Sequence, residues 1–129
     1  MIYSTFSSHV NLFDFETLVT QSTQLNFQVP NSRIEYQNYY AIFSLRFTED
    51  CNTILACSNR RELLLFDLAT NRVQTQILNA HQNDINSICL VNNCNDNIFY
   101  SAGDDCKIKV WDRRILANKD SAVGMFVGH

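Results

Sequence analysis

The sequence is short of the residues that usually punctuate a chain, with 3 glycines and 1 proline in 129 positions. Turns must therefore fall to Asn, Asp and Ser, whose side chains bond their own backbone; Asn92, Asn93, Asn95 and Asn97 crowd one loop. No run approaches the roughly 18 consecutive apolar residues of a membrane helix, so no membrane partner is expected. An excess of one charge is also missing, with 10 Lys and Arg against 13 Asp and Glu. That balance offers no basic footprint for nucleic acid. The five cysteines, Cys51, Cys57, Cys89, Cys94 and Cys106, are odd in number and form no C-x-x-C pair. They read as small buried hydrophobes rather than a disulfide framework or a zinc site, and no metal is expected. Met1 to Ser8 shows no basic region followed by an apolar core, so the sequence predicts an intracellular chain. Glycine-rich phosphate loops, paired carboxylates and His clusters are absent too, which excludes the commoner enzyme signatures and predicts no cofactor.

What is present is a run of short apolar segments. With 46% hydrophobic and 18% charged residues the chain can bury a core. Phe43-Leu45-Phe47, Val73-Thr75-Ile77 and Ile108-Val110 alternate with the period of a half-buried strand. Leu63 to Phe66 is continuously apolar, the pattern of a strand covered on both faces. Leu12, Phe15, Leu18 and Val19 also fit helical spacing, but four polar residues and no cap follow them, and we read a strand end and loop. The fold class is all-β.

The segments repeat. Ile42-Phe43-Ser44-Leu45-Arg46-Phe47 lies over Ile85-Asn86-Ser87-Ile88-Cys89-Leu90 at a spacing of 43 residues, and Leu65-Phe66-Asp67 over Val110-Trp111-Asp112 at 45. Leu12-Phe13-Asp14 is a third copy, 53 residues before the second. Repeats of that length ending in aromatic-Asp point to a propeller.

On these residues the chain resembles the WD-repeat β-propellers. Ser101-Ala102-Gly103-Asp104-Asp105 and Ile108-Lys109-Val110-Trp111-Asp112 carry the likeness. It implies a partial propeller of about two and a half blades, with a partial blade at 1–30 and blades at 40–79 and 80–129. Strands are expected near 42–47, 53–58, 62–67 and 73–78, then 85–90, 97–102, 107–112 and 123–127. The resemblance also implies a hydrogen-bonded chain through His81, Ser101, Asp105 and Trp111. Indole can only donate and ionised carboxylate only accept, so Trp and Asp suit the ends, while Ser and His do both and suit the middle. A hydrolase reading of Ser101, His81 and an Asp fails for want of a nucleophile elbow or an oxyanion loop. The corresponding positions of the preceding blade are Ala56, Arg60 and Phe66. That blade is expected to rely on packing, with Arg60-Arg61 as a solvated pair at a turn tip.

Trp111-Asp112-Arg113-Arg114 resembles the W-D-x-R box of the substrate receptors of cullin-4 ubiquitin ligases. Together with Tyr40-Ala41-Ile42-Phe43-Ser44-Leu45, Asn71-Arg72 and Ala80-His81-Gln82-Asn83-Asp84-Ile85-Asn86, it is similar to the cullin-4-associated factor 11 type. The resemblance implies a non-catalytic receptor, in the nucleus, the cytoplasm or both. Asp112 and Arg114 would engage a damaged-DNA-binding-protein adaptor and, through it, cullin-4, while a protein substrate is held elsewhere. The upstream position reads Phe66-Asp67-Leu68-Ala69, without the Arg. The chain ends at Val127-Gly128-His129, a Gly-His like that opening a repeat in this family, so a middle piece of a longer propeller is expected. The competing readings are a general WD-repeat scaffold, and an enzyme or metal protein using the thiols and His81.

Overall fold

The computed structural model describes residues 2–4, 9–13, 22–27, 41–91 and 96–128. Eleven strands run through them: β1 (Ile2–Ser4), β2 (His9–Phe13), β3 (Ser22–Asn26), β4 (Ile42–Phe47), β5 (Thr53–Ser58) and β6 (Leu63–Asp67), then β7 (Arg72–Ile77), β8 (Ile85–Leu90), β9 (Ile98–Gly103), β10 (Lys107–Asp112) and β11 (Ala122–Val127). No α-helix occurs among the described residues; two short 3₁₀ turns, Arg113–Ile115 and Lys119–Ser121, lie between β10 and β11. The all-β expectation holds. The expected strands at 62–67, 73–78, 97–102 and 123–127 end one residue away from the observed ones, the usual uncertainty of strand ends.

Three antiparallel sheets form, in the orders β1-β2-β3, β4-β5-β6-β7 and β8-β9-β10-β11. The two four-stranded sheets repeat each other down to their irregularities. The ladder slips between Ile42 and Ser44 and again between Ile85 and Ser87. It slips between Leu65 and Phe66 and again between Val110 and Trp111. Bulges at matching positions mean that the 43- and 45-residue spacings are true structural repeats, since a bulge re-aims every later side chain of its strand. Of the third copy, Leu12 and Phe13 lie on β2; Asp14, like Phe15, Leu18, Val19, Asn92, Asn93, Asn95 and His129, falls outside the described residues.

The core explains why Leu63 to Phe66 is apolar throughout. Leu63 and Leu65 face the β8–β11 sheet and join Leu55, Cys57, Ile77, Ile85, Ile88, Phe99 and Trp111. Leu64 and Phe66 face the other way and join Ile54, Ala56, Val10, Leu25 and Phe27. One sheet is sandwiched between two others, and each such buried side chain contributes roughly 1.5–3 kcal/mol. The far face of the β8–β11 sheet is uncovered among the described residues: Tyr100, Ile108 and Phe126 are exposed there. Ile108 pairs with Phe126 as Leu63 does with Ile77 in the sheet before, and Tyr100 pairs with Val110 as Leu55 does with Leu65; Leu55, Leu63 and Ile77 are buried.

The shortage of glycine leaves its mark on the turns. Six described residues have left-handed backbone: Cys51, Arg61, Asn71, Asn79, Asp96 and Cys106, with φ between 52° and 60°. Asn and Asp tolerate that region. Cys51, Arg61 and Cys106 do so at the steric cost that Gly would avoid, of order 1 kcal/mol each.

Candidate functional site

Ser101 on β9 and Trp111 on β10 point to the same sheet face, because Ser101 pairs with Lys109 and side chains two apart share a face. His81 reaches them from the segment between β7 and β8, and Asp105 from the β9–β10 turn. Trp111 Nε1 donates to Ser101 Oγ at 2.8 Å, Ser101 Oγ lies 2.7 Å from His81 Nε2, and His81 Nδ1 lies 2.8 Å from Asp105 Oδ1. An ionised Asp105 can only accept, which assigns the ring proton to Nδ1, and in the neutral ring Nε2 then accepts from the Ser101 hydroxyl. Asp105 also accepts from the Gln82 N–H at 2.9 Å and the Lys107 N–H at 3.2 Å. Burial by itself raises the Asp105 pKa. The Gln82 N–H, the His81 bond and charge, and the Lys107 N–H outweigh burial and hold the carboxyl below the usual carboxylate range.

The connectivity Asp105–His81–Ser101 is that of an activated nucleophile, but its surroundings forbid the chemistry. Ser101 is 0% exposed and its oxygen is capped by the Trp111 indole, so no substrate atom can approach it. Gly103 closes the chain from behind: a Cβ there would meet His81 Nδ1 and the Asp84 carbonyl. Lys109 Nζ donates to the Ala80 carbonyl at 2.5 Å while lying 5.7 Å from the centre of the Trp111 ring. These contacts bind the 80–81 segment to β10, and the arrangement holds one blade together.

The preceding sheet reaches the same end by other means. Phe66, at the position of Trp111, stacks on Phe27 with centroids 4.6 Å apart, and Ala56, at the position of Ser101, is buried beside it. A polar group not read from the sequence appears instead. Glu62 is buried, accepting from the Ser58 hydroxyl at 3.0 Å and from Gln76 Nε2 at 2.6 Å. The local sequence carries no signal for it, since a carboxylate directly before an apolar run is ordinarily solvated.

Of the described cysteines only Cys57 is the buried hydrophobe that the sequence predicts. Among the described residues no group of three or more His, Cys, Asp or Glu side chains is arranged to hold a metal ion. Cys51, Cys89 and Cys106 are exposed; Cys57 is buried, its thiol pushed up to about 12 by burial, and its sulfur donates to the Ile85 carbonyl. Cys94 lies outside the described residues.

The W-D-R-R box forms one turn. Asp112 caps the 3₁₀ turn Arg113–Ile115, its Oδ1 accepting from Arg114 N and Arg114 Nε at 3.0 Å each, its Oδ2 from Arg114 Nη2 at 2.6 Å. The fork is held along one edge only, and the outward edge is open: the Arg114 side chain is 65% exposed against 12% for Asp112. The Arg114 side-chain and backbone bonds hold the Asp112 carboxyl down to about 2, and Asp112 in turn raises the Arg114 pKa. Arg113 N–H donates to the Asn97 carbonyl at 2.6 Å, tying the turn to the approach to β9. In the preceding sheet Asp67 makes the same kind of turn. Its Oδ1 accepts from Ala69 N at 3.1 Å and its Oδ2 from the Thr70 hydroxyl at 2.8 Å, with no guanidinium.

Residues 72–112 match the family described as WD domain, G-beta repeat. The chain is 39% identical over 94 residues to a DDB1- and CUL4-associated factor 11 homolog of Caenorhabditis briggsae, covering 72% of this chain and 17% of the relative. It is 29% identical to a LEC14B homolog of Prunus armeniaca over 100% of this chain and 28% of the relative. The chain thus spans less than a third of the length of either relative. Among solved structures it superposes on the WD40 β-propeller domain of Doa1 with a TM-score of 0.71 and 15% identity, covering 99% of this chain and 36% of that one. That likeness establishes the fold. A matched repeat, two repeating four-stranded sheets and a propeller neighbour make the chain a partial WD-repeat β-propeller, similar in sequence to the DDB1- and CUL4-associated factor 11 homologues.

Proposed function

We propose that the chain is a non-catalytic interaction module belonging to a substrate receptor of a cullin-4 RING ubiquitin ligase, acting in protein ubiquitination in the nucleus, the cytoplasm or both. In this reading residues 40–79 and 80–129 are blades and 1–30 a partial one. The observation that carries the proposal is the Arg114 guanidinium, oriented by Asp112 on one edge and open to a partner on the other. An oriented, always-charged fork is suited to paired bonds with backbone carbonyls or a carboxylate of an adaptor. The names of the relatives support DDB1 as that adaptor and CUL4 as the scaffold beyond it. The substrate would be a protein held by another part of the propeller.

The test is a pulldown of DDB1 by the full chain and by its Arg114→Ala and Asp112→Asn variants, with circular dichroism on each. If the complex buries the Arg114 contact, removing the guanidinium costs about 2–5 kcal/mol, enough to erase a micromolar interaction. Loss of capture by folded variants supports the reading; failure of the unaltered chain to capture DDB1 overturns it. A general WD-repeat scaffold is the second reading, favoured by the whole-chain likeness to the LEC14B homolog. It takes over in that event.

A further inference from the structure

The 3₁₀ turn that carries Arg114 also carries Ile115, which is 57% exposed and, among the described residues, is not one of the side chains packed on the core cluster. Its neighbours on either side are fixed. Trp111 is fully buried and Asp112 nearly so, the Arg113 N–H is bonded to Asn97, and Leu116 packs against the core of the blade. The chain therefore enters and leaves the turn through anchored residues, which leaves Arg114 and Ile115 as consecutive exposed residues of one anchored turn, with less freedom to lose on binding than a free loop. Most of the other exposed large apolar side chains belong to sheets. Tyr100, Ile108 and Phe126 share the uncovered face, and Val123, Met125 and Val127 lie along β11. Ile115 is set apart from both, as the residue after Arg114. An isolated isoleucine on an anchored turn, one residue after an oriented cation, is a two-part contact, one part ionic and one apolar.

We infer that Ile115 is the apolar anchor of the surface that Arg114 opens, and that the adaptor receives the turn at a place where carbonyl or carboxylate acceptors border an apolar pocket. This rests on the adaptor-docking reading. It adds a specificity rule, since an Asp-Arg pair followed by a polar residue would keep the charge recognition and lose the anchor.

The experiment measures DDB1 binding to the full chain by biolayer interferometry at low and high salt. It compares Ile115→Ser, Ile115→Val, Arg114→Ala and Met125→Ser, the last being an exposed apolar side chain away from the turn. Ile115→Ser should weaken binding about tenfold or more at both salt concentrations, because apolar burial is not screened. Ile115→Val should restore most of it, Met125→Ser should change nothing, and the Arg114→Ala deficit should shrink as salt weakens the unaltered contact. Thermal melts should show no change for Ile115→Ser, which separates docking from folding. Binding by Ile115→Ser equal to the unaltered chain, with Arg114→Ala defective, overturns the inference and leaves the docking reading standing. Absence of binding by the unaltered chain overturns both.

Discussion

Gly103 lies so close to the His81 ring that a Cβ at residue 103 would stand 2.9 Å from His81 Nδ1 and 2.8 Å from the Asp84 carbonyl oxygen. Neither neighbour can move cheaply, since the ring is bonded at both nitrogens and the carbonyl accepts from the Asp104 N–H. Here the glycine is required by close approach and not by its backbone angle.

Gly103→Ala should therefore destabilise the chain by about 1–3 kcal/mol, the usual range for overpacking a closed site. Urea denaturation followed by tryptophan fluorescence reads it directly, because the single Trp is itself in the network. A midpoint unchanged to within about 0.5 kcal/mol would show that the 81–84 segment yields to the added methyl.

Ser101 holds two buried groups at once, the Trp111 indole and His81 Nε2. Ser101→Ala orphans both, at about 1–3 kcal/mol for each buried polar group left unpaired. The preceding sheet already pairs Ala56 with Phe66 at these positions, so Trp111→Phe should cost less in the Ser101→Ala background than alone. The expected coupling, about 0.5–3 kcal/mol in a double-mutant cycle, measures the bond itself. Additive costs would show that the indole gains nothing from the hydroxyl.

Why some residues were readable and others were not follows from how local their roles are. The resemblance to the WD repeats supplied His81, Ser101, Asp105 and Trp111, because donor and acceptor types alone put Trp and Asp at the ends and leave Ser and His interchangeable between them. The buried face of Leu63 to Phe66 was plain without it, because only a sandwiched strand is apolar at every position. Glu62 was not readable: its partner Gln76 comes from β7, and nothing in the local sequence distinguishes a satisfied buried carboxylate from a solvated one. Phe43 misled in the opposite sense. It alternates with Leu45 and Phe47, yet the slip between Ile42 and Ser44 turns it to solvent, where it is 41% exposed. A one-residue bulge inverts the faces before it, and period alone cannot show that.

Asp50, Asp105 and Asp112 are the described carboxyls held below their ordinary value, and the last two belong to the network and the turn. Asp105 lies below its ordinary value of 3.8, and Asp112 is lowered to about 2. A carboxyl that is more acidic folded than unfolded stabilises the fold above its unfolded pKa, and that share is lost as pH falls through the folded value. Asp105 faces His81 and lies within electrostatic reach of Lys109, so its charge is supported by the blade around it. The melting temperature should hold steady with respect to these two groups down to about pH 4 and then decline towards pH 2. Asp105→Asn should melt lower at pH 7 and decline less steeply in acid. Parallel profiles for the two proteins would mean that Asp105 is equally acidic when unfolded.

The Asp67 turn provides a test of the Arg114 fork by construction. Asp67 already accepts from the Ala69 backbone just as Asp112 does from Arg114, and only the guanidinium is missing, its place on Oδ2 taken by the Thr70 hydroxyl. Ala69→Arg puts a guanidinium at the equivalent position one blade away, and adding Thr70→Val frees Oδ2 to receive it. If oriented arginines on successive blades both meet DDB1, the double variant should bind more tightly by about 1 kcal/mol, roughly fivefold, as expected for one partly exposed charge-assisted pair. The gain should vanish when Asp67→Ala is added, since a freely rotating Arg loses its orientation. An equal gain with and without Asp67 would reduce the effect to net charge, and the orienting role assigned to Asp112 would fall with it.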